Sequence, residues 1–229
     1  MQSKRLPGKN KRLLAGHPLV LWTLEAARHS KLDRLVTSTD DPVILDLAEE
    51  FGFAVARPPE LATDNAPDAP AIRHALDAIQ PSGYAKDDIL IHLRPTAPFR
   101  RPEEINTVTE LLRRFPIDSV VSVCPAKEHP QKAYVESGDT IGVLPELVPY
   151  AGSSALGEPS QGLRRVWRAA GFIDAAKIGS FLREGRVDCG TVLGWPAPID
   201  RVIDIDTEQD WMAAEQLAKD RDWTPGRVI

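Results

Sequence analysis

The sequence predicts an α/β fold built on a mainly parallel sheet. Three observations carry that expectation. Short apolar runs rich in β-branched residues alternate with longer segments of helical period. The links between them are marked by Pro, Gly and acidic residues, as right-handed crossover units require. The chain has 229 residues, 42% hydrophobic and 27% charged, which suits one large α/β domain or two small ones and argues against disorder.

The elements follow in order. Residues 3–12 are basic and hold Pro7, Gly8 and Asn10, so they read as a loop. His17-Pro18 opens a helix with Leu19, Trp22, Ala26 and Ala27 at helical spacing, ending near Ser30. Residues 35–39 read as a short buried strand. Asp40-Asp41-Pro42 starts a second helix that runs to Phe51-Gly52, with acidic residues in its first turn. Residues 53–56 are another brief strand, and the Pro-rich, acidic stretch 57–68 is a loop. Residues 69–79 form a helix with Ile72, Ala75 and Leu76 inward. The run Ile89-Leu90-Ile91-His92-Leu93 is the strongest strand signal. A helix over 102–114 and a strand over 119–123 follow. Residues 145–166 hold Pro145, Pro149, Gly152, Gly157, Pro159 and Gly162 with no clear period, so they read as an arm or long loop with a functional or interaction role. Strands are expected over 166–175, 191–195 and 202–205, and helices over 175–184 and 207–219.

Charge and cysteine content exclude several classes. The net charge of −5 does not provide a generally basic face for nucleic acid, although a local basic pocket for a small anion remains open. Cys124 and Cys189 are the two cysteines, too few for a disulfide framework or a four-cysteine zinc site. No apolar run approaches the ~20 residues that span a bilayer. Met1-Gln2-Ser3-Lys4-Arg5 lacks the apolar core of a signal peptide, so the expected compartment is the cytoplasm.

Five segments carry candidate chemistry. Ser3-Lys4-Arg5-Leu6-Pro7-Gly8-Lys9-Asn10 places three cations beside a glycine, which suits a triphosphate; a plain basic tail is equally open. The stretch from Gly16 to Asp41 is a loop–helix–strand unit whose residues mostly build the fold. Arg57, in a Pro-rigidified loop, is a candidate for a phosphate or base, though a surface loop is the commoner outcome. Arg94-Pro95-Thr96-Ala97-Pro98-Phe99-Arg100 lies at the carboxyl end of the strongest strand, where parallel sheets place their sites. Finally, Asp204 and Asp206 stand two apart on an expected strand, so both carboxylates face one side. Like charges so close favour a cation, and Mg²⁺ takes carboxylate and phosphate oxygens together. Asp206 could alternatively cap the helix that follows.

Taken together and in order, these segments resemble the acylneuraminate cytidylyltransferase family, which includes activators of legionaminic-type sugars. The matching pieces are residues 3–10, Ser38-Thr39-Asp40-Asp41, Arg57-Pro58 with Glu60-Leu61-Ala62, Pro95-Thr96 with Pro98 and Arg100, His129-Pro130 with Lys132, and Asp204-Ile205-Asp206-Thr207 with Asp210. The resemblance implies a Rossmann-like α/β nucleotidyltransferase domain over residues 1–229, with 134–175 as a protruding dimerisation arm of a homodimer. It implies transfer of CMP from CTP to the anomeric hydroxyl of a nine-carbon keto sugar acid, with pyrophosphate released. By position, Lys9, Asp204 and Asp206 would be catalytic, and Asp204 and Asp206 would hold Mg²⁺. Ser3, Arg5, Asn10, Arg57, Arg94 and Lys132 would bind substrate, Lys132 near the sugar acid. One carboxylate of the Asp pair, or a water on the metal, would accept the hydroxyl proton.

The sequence also departs from the family pattern. The family carries a strand and an Ala-Arg-Gly-Gly run ahead of the Ser-Lys, whereas Ser3 here follows Met1 and Gln2. That strand would be central, so its neighbours are expected to show unpaired edges. Arg94 stands where many members have Gln, Asp68 where a small hydroxyl residue is expected, and Ala170 where an Asn precedes Gly171. Two other readings follow: an impaired homologue serving as a nucleotide-binding or assembly subunit, and a synthetase for a different keto sugar acid.

Overall fold

Phe99 is fully buried and joins distant parts of the chain. Its ring meets Trp22 edge-on at 5.3 Å and Trp223 tilted at 5.2 Å. A computed structural model describes residues 6–63, 66–141, 143–150, 157 and 159–228. The chain divides into two compact units, one of Met1–Ser122 with Ala170–Ile229 and one of Val123–Ala169.

In the first unit, β1 (Leu13–Leu14) turns back on β2 (His17–Pro18), and α1 (Leu19–Arg28) follows directly. The apolar spacing of α1 buries Leu19, Val20, Trp22, Leu24, Ala26 and Ala27. β3 (Val36–Thr39) leads into α2 (Pro42–Glu49), capped by Asp41, whose carboxylate accepts from Val43 N–H at 3.0 Å. β4 (Phe53–Ala56) pairs with β3 in parallel, Val36 opposite Phe53, as a βαβ crossover demands. Then come α3 (Asp68–Ile79), β5 (Ile89–His92) and α4 (Pro102–Arg114). α4 has Pro at its start and Glu104 accepting from Arg101 N–H at 2.8 Å, and it buries Ile105, Val108 and Leu112.

β6 (Ser119–Pro125) and β9 (Trp167–Lys177) cross into the second unit. α5 (Ile178–Glu184), β10 (Val192–Pro196) and α6 (Glu208–Asp220) complete the first. Four strands form one sheet in the order β10-β6-β9-β5, and β3 with β4 forms a separate pair. β5 and β9 run antiparallel, His92 opposite Asp174, so the sheet system is mixed.

Among the described residues, β3 has β4 on one side only and β5 has β9 on one side only. A cavity of about 750 Å³ is lined by residues 36–39 of β3 and 89–92 of β5. Charged and polar lining residues stand at both ends of the two strands: Asp33, Arg34, Asp87 and Asp88 ahead of them, Asp40, Arg94 and Thr96 after them.

The second unit holds β7 (Tyr134–Ile141) and β8 (Leu144–Pro149), an antiparallel hairpin with a register shift between Glu136 and Thr140. Residues 145–149 are therefore strand where a loop was expected. Pro145 and Pro149 are tolerated because a two-stranded hairpin leaves each strand a free edge.

Two further expectations change. Residues 175–177 continue β9 instead of opening a helix, because Ala175 and Ala176 pair with Ile91 and Leu90 of β5. Residues 202–205 form no strand. Ile205 N–H donates to Thr96 O at 2.9 Å, a single anchor to a loop rather than a ladder.

The aromatic junction makes a direct prediction. Phe99→Ala should lower the unfolding free energy by about 3–5 kcal/mol in urea titrations followed by circular dichroism. A loss below about 1 kcal/mol would show that this junction does not support the fold.

Candidate functional site

The basic turn is shaped by its own backbone. Gly8 sits at φ 68, a left-handed conformation that glycine adopts without a Cβ clash, and its carbonyl accepts from Lys11 and Arg12 N–H at 3.1 and 3.2 Å. Leu6, just ahead, is buried in one apolar cluster with Trp22, Phe99, Ile205 and Trp211. That packing brings the turn against residues 204–206. Lys9 Nζ donates to Ile205 O and to Asp206 Oδ1, each at 2.9 Å. Its neighbours pin the turn: Lys11 pairs with Asp41 at 2.7 Å, and Arg12 pairs with Glu208 at 2.6 Å while lying 4.3 Å over the Trp211 ring. Lys11 holds the Asp41 carboxyl below the usual range.

Asp204 and Asp206 flank Ile205, which is fully buried, while Asp204 is exposed and Asp206 about half exposed. Both carboxylates therefore point out of the core although no strand is present. The cap on α6 is Thr207, not Asp206. Thr207 Oγ1 accepts from Asp210 N–H at 3.2 Å, and Asp210 Oδ2 accepts from Thr207 N–H at 2.8 Å. Asp206 is thus left to face Lys9.

Arg57 extends the β3–β4 ladder by donating its N–H to Thr39 O at 2.8 Å. Its side chain donates to Ser38 Oγ at 3.1 Å and Ser38 O at 2.6 Å. Burial pushes its pKa down, opposed by Asp40 and Asp68. At the end of β5 the two arginines of one motif part company. Arg100 is buried and donates to Phe172 O, to Thr23 Oγ1 at 3.0 Å and to Arg94 O at 2.7 Å. Burial lowers its pKa to about 9, so it remains a cation at neutral pH and acts as an internal brace for the 94–100 loop. Arg94 lines the cavity, ion-paired to Asp68 and Asp174 at 2.9 Å each.

Lys9, Asn10, Arg57 and Arg94 all line that cavity. Asn10 Oδ1 is buried without a hydrogen-bond partner, an acceptor open to a ligand. Asp206 joins the group through Lys9, and Asp204 stands two residues from it. Lys132 lies in the second unit, in the turn Pro130–Lys132. Ser3 and Arg5 fall outside the described residues. Sequence reasoning missed His92, Ser122 and Asp174. His92 and Asp174 each interrupt an apolar strand, which was a readable signal; Ser122 carried none.

Residues 1–133 match the family model described as cytidylyltransferase. The CMP-N,N'-diacetyllegionaminic acid synthase of Legionella pneumophila is 41% identical over 150 residues, 63% of this chain and 63% of that protein. The N-acylneuraminate cytidylyltransferase of Streptococcus agalactiae serotype V is 27% identical over 214 residues, 92% of this chain and 49% of that protein. The chain thus spans between about half and two thirds of the length of these curated relatives. Among solved structures, a CMP:2-keto-3-deoxy-manno-octonic acid synthetase complexed with CTP superposes with a TM-score of 0.64 at 16% identity, covering 95% of this chain and 94% of that one. This likeness establishes a shared fold.

His92 gives the site a pH signature. Its Nδ1 is buried without a partner, and burial, with the nearby Arg94 charge, depresses its pKa to about 4. In the unfolded chain an imidazole titrates near 6.5, so the unfolded state binds the extra proton first. Stability from this group is complete above about pH 6.5 and falls toward pH 4, by up to about 3 kcal/mol. Urea unfolding at pH 7 and pH 4.5 should show this loss in the wild type, and His92→Leu should reduce it. Equal slopes in both proteins would refute the assignment.

Proposed function

The chain belongs to the cytidylyltransferase family, and on that premise we propose that it transfers CMP from CTP to the anomeric hydroxyl of an acylneuraminate-type, nine-carbon keto sugar acid. The hydroxyl oxygen bonds to the α-phosphorus, the bond from that phosphorus to the β-phosphate bridge breaks, and pyrophosphate leaves. The observation that carries the reading is the contact of Lys9 with Asp206, which joins a cation and an acidic pair beside a ligand-sized cavity.

Each residue's role follows from its chemistry. Lys9 offsets negative charge on the phosphates, and Asn10 offers its open acceptor to the nucleoside. Arg57 and Arg94 supply cations on the cavity wall. Asp204 and Asp206 fit Mg²⁺, which takes one or two carboxylates and fills its remaining positions with phosphate oxygens and water. When bound, Mg²⁺ supplies charge neutralisation at the phosphates. One of the two Asp carboxylates accepts the hydroxyl proton. The role of Lys132 toward the sugar acid rests on family resemblance. Two buried free thiols suit a reducing cytoplasm, and no helix among the described residues is long and apolar enough to cross a membrane.

We assign the β7–β8 hairpin to a homodimer contact. Tyr134, Val143, Leu144, Leu147 and Tyr150 are all exposed on it, an apolar concentration that marks an interaction surface. Leu147→Asp should convert a dimer to a monomer in light scattering; a wild-type monomer would sink this assignment.

The function is tested by pyrophosphate release from CTP and Mg²⁺ with a panel of keto sugar acids. No release with any of them would overturn the reading, and normal CTP binding without turnover would favour an assembly subunit. Asp206→Asn should cut turnover at least about a hundredfold with little change in folding. Lys9→Ala should weaken CTP binding by about ten- to a hundredfold, the worth of a hydrogen bond to a charged group, and the sugar acid less. A loss confined to the sugar acid would mean that Lys9 faces the other substrate.

A further inference from the structure

Arg94 is gripped by two carboxylates of unequal standing. Its Nη1 donates to Asp174 Oδ2 at 2.9 Å. Asp174 is buried, and its other oxygen accepts from the Ser122 N–H and hydroxyl at 3.2 and 3.1 Å. The Ser122 hydroxyl in turn accepts from Phe172 and Ile173 N–H at 2.9 and 3.0 Å, so this carboxylate is locked into the sheet.

Asp68 is held differently. It opens α3, its side chain is 52% exposed, and its Oδ2 alone takes both Arg94 Nε at 3.1 Å and Arg94 Nη2 at 2.9 Å. A carboxylate meets a guanidinium best fork to fork, with one oxygen for each N–H. Asp68 therefore meets the Nε–Nη2 edge of Arg94 through one shared oxygen instead of two, and both residues line the cavity. Gly171 stands beside Nη1 at φ 62, a conformation that glycine adopts without strain.

We propose that Asp68 is a specificity-determining residue, an internal carboxylate that holds Arg94 in place and yields its Nε–Nη2 edge to the carboxylate of an incoming 2-keto acid. Asp174 keeps its grip during the exchange, so the guanidinium does not lose its position. An acid that brings two oxygens replaces two bonds to one atom with two bonds to two. A neutral ligand brings nothing to offset the separation of Asp68 from Arg94, and is rejected. The sugar acid as ligand rests on the proposed function; the exchange itself rests on the geometry.

The test uses the full chain and the smallest 2-keto carboxylate, pyruvate, with pyruvamide as its neutral counterpart. Binding is followed by the Arg94 Nε–H resonance, assigned by its disappearance in Arg94→Lys. Pyruvate should shift that resonance in the wild type. Asp68→Asn and Asp68→Ser should bind pyruvate about two- to fivefold more tightly, the strength of a part-exposed ion pair. Asp68→Glu, which keeps the charge, should behave as wild type, and pyruvamide should have no effect. The proposal is overturned if neither neutral variant binds pyruvate more tightly, if pyruvamide shifts the resonance equally, or if pyruvate shifts it in no protein. Calorimetry with N-acetylneuraminate separates the two claims. If that acid fails to bind while pyruvate follows the expected order, the proposed function falls and the exchange at Arg94 stands.

Discussion

The site depends on an apolar cluster rather than on any polar contact. Leu6, Leu14, Leu19, Trp22, Phe99, Ile205, Trp211 and Trp223 are buried together. Three of them sit beside the residues that carry chemistry: Leu6 precedes Lys9, Phe99 follows Arg94, and Ile205 separates Asp204 from Asp206. Burying these side chains leaves their polar neighbours at the surface of the core, close to one another. The Lys9–Asp206 pair alone could not hold such an arrangement, since a half-exposed ion pair contributes at most about 1 kcal/mol. Each large aromatic in the cluster contributes several times that. Positioning thus comes from the hydrophobic effect, and the ion pairs report it.

The charges around the cavity follow a second pattern: Lys9, Arg57 and Arg94 each already have an acceptor. Lys9 has Asp206 and Ile205 O, Arg57 has Ser38, and Arg94 has Asp68 and Asp174. A net charge of −5 makes this possible without a generally basic face. A polyanion would be met by cations held in position beforehand, which lowers the cost of reorganisation when charge develops. Arg100 is the exception in kind. Fully buried and bonded to two carbonyls and a hydroxyl, it ties α1, β9 and the 94–100 loop together. A buried guanidinium left without those acceptors would be strongly destabilising, so it specifies one conformation for the loop that carries Arg94.

Much of this molecule was written in local sequence. The period of residues 19–28 and 102–114, the Asp41-Pro42 helix start, and the apolar run at 89–92 locate their elements to within a few residues, because side-chain periodicity and capping act over one or two turns. The residue types at Lys9, Asn10, Arg57, Arg94, Asp204 and Asp206 stood out as candidates, beside the competing readings of a basic tail, a surface loop and a helix cap. Local pattern failed where an extended segment lacked a partner. Residues 202–205 read as strand but find no neighbouring strand to pair with among the described residues, while residues 145–149 read as loop and find β7.

Tertiary structure alone decided which of these residues meet and what each does. The sequence could not separate Arg94 from Arg100, because the difference between a cavity wall and a buried brace is a matter of packing against Thr23 and Phe172, more than seventy residues away in either direction. Nor could it show that Asp68 and Asp174 share one guanidinium, or that His92 loses its proton to burial. Composition and periodicity determined the elements and the chemical repertoire. Desolvation and ion pairing depend on neighbours brought together only by the collapse of the core, and so they belong to the folded state.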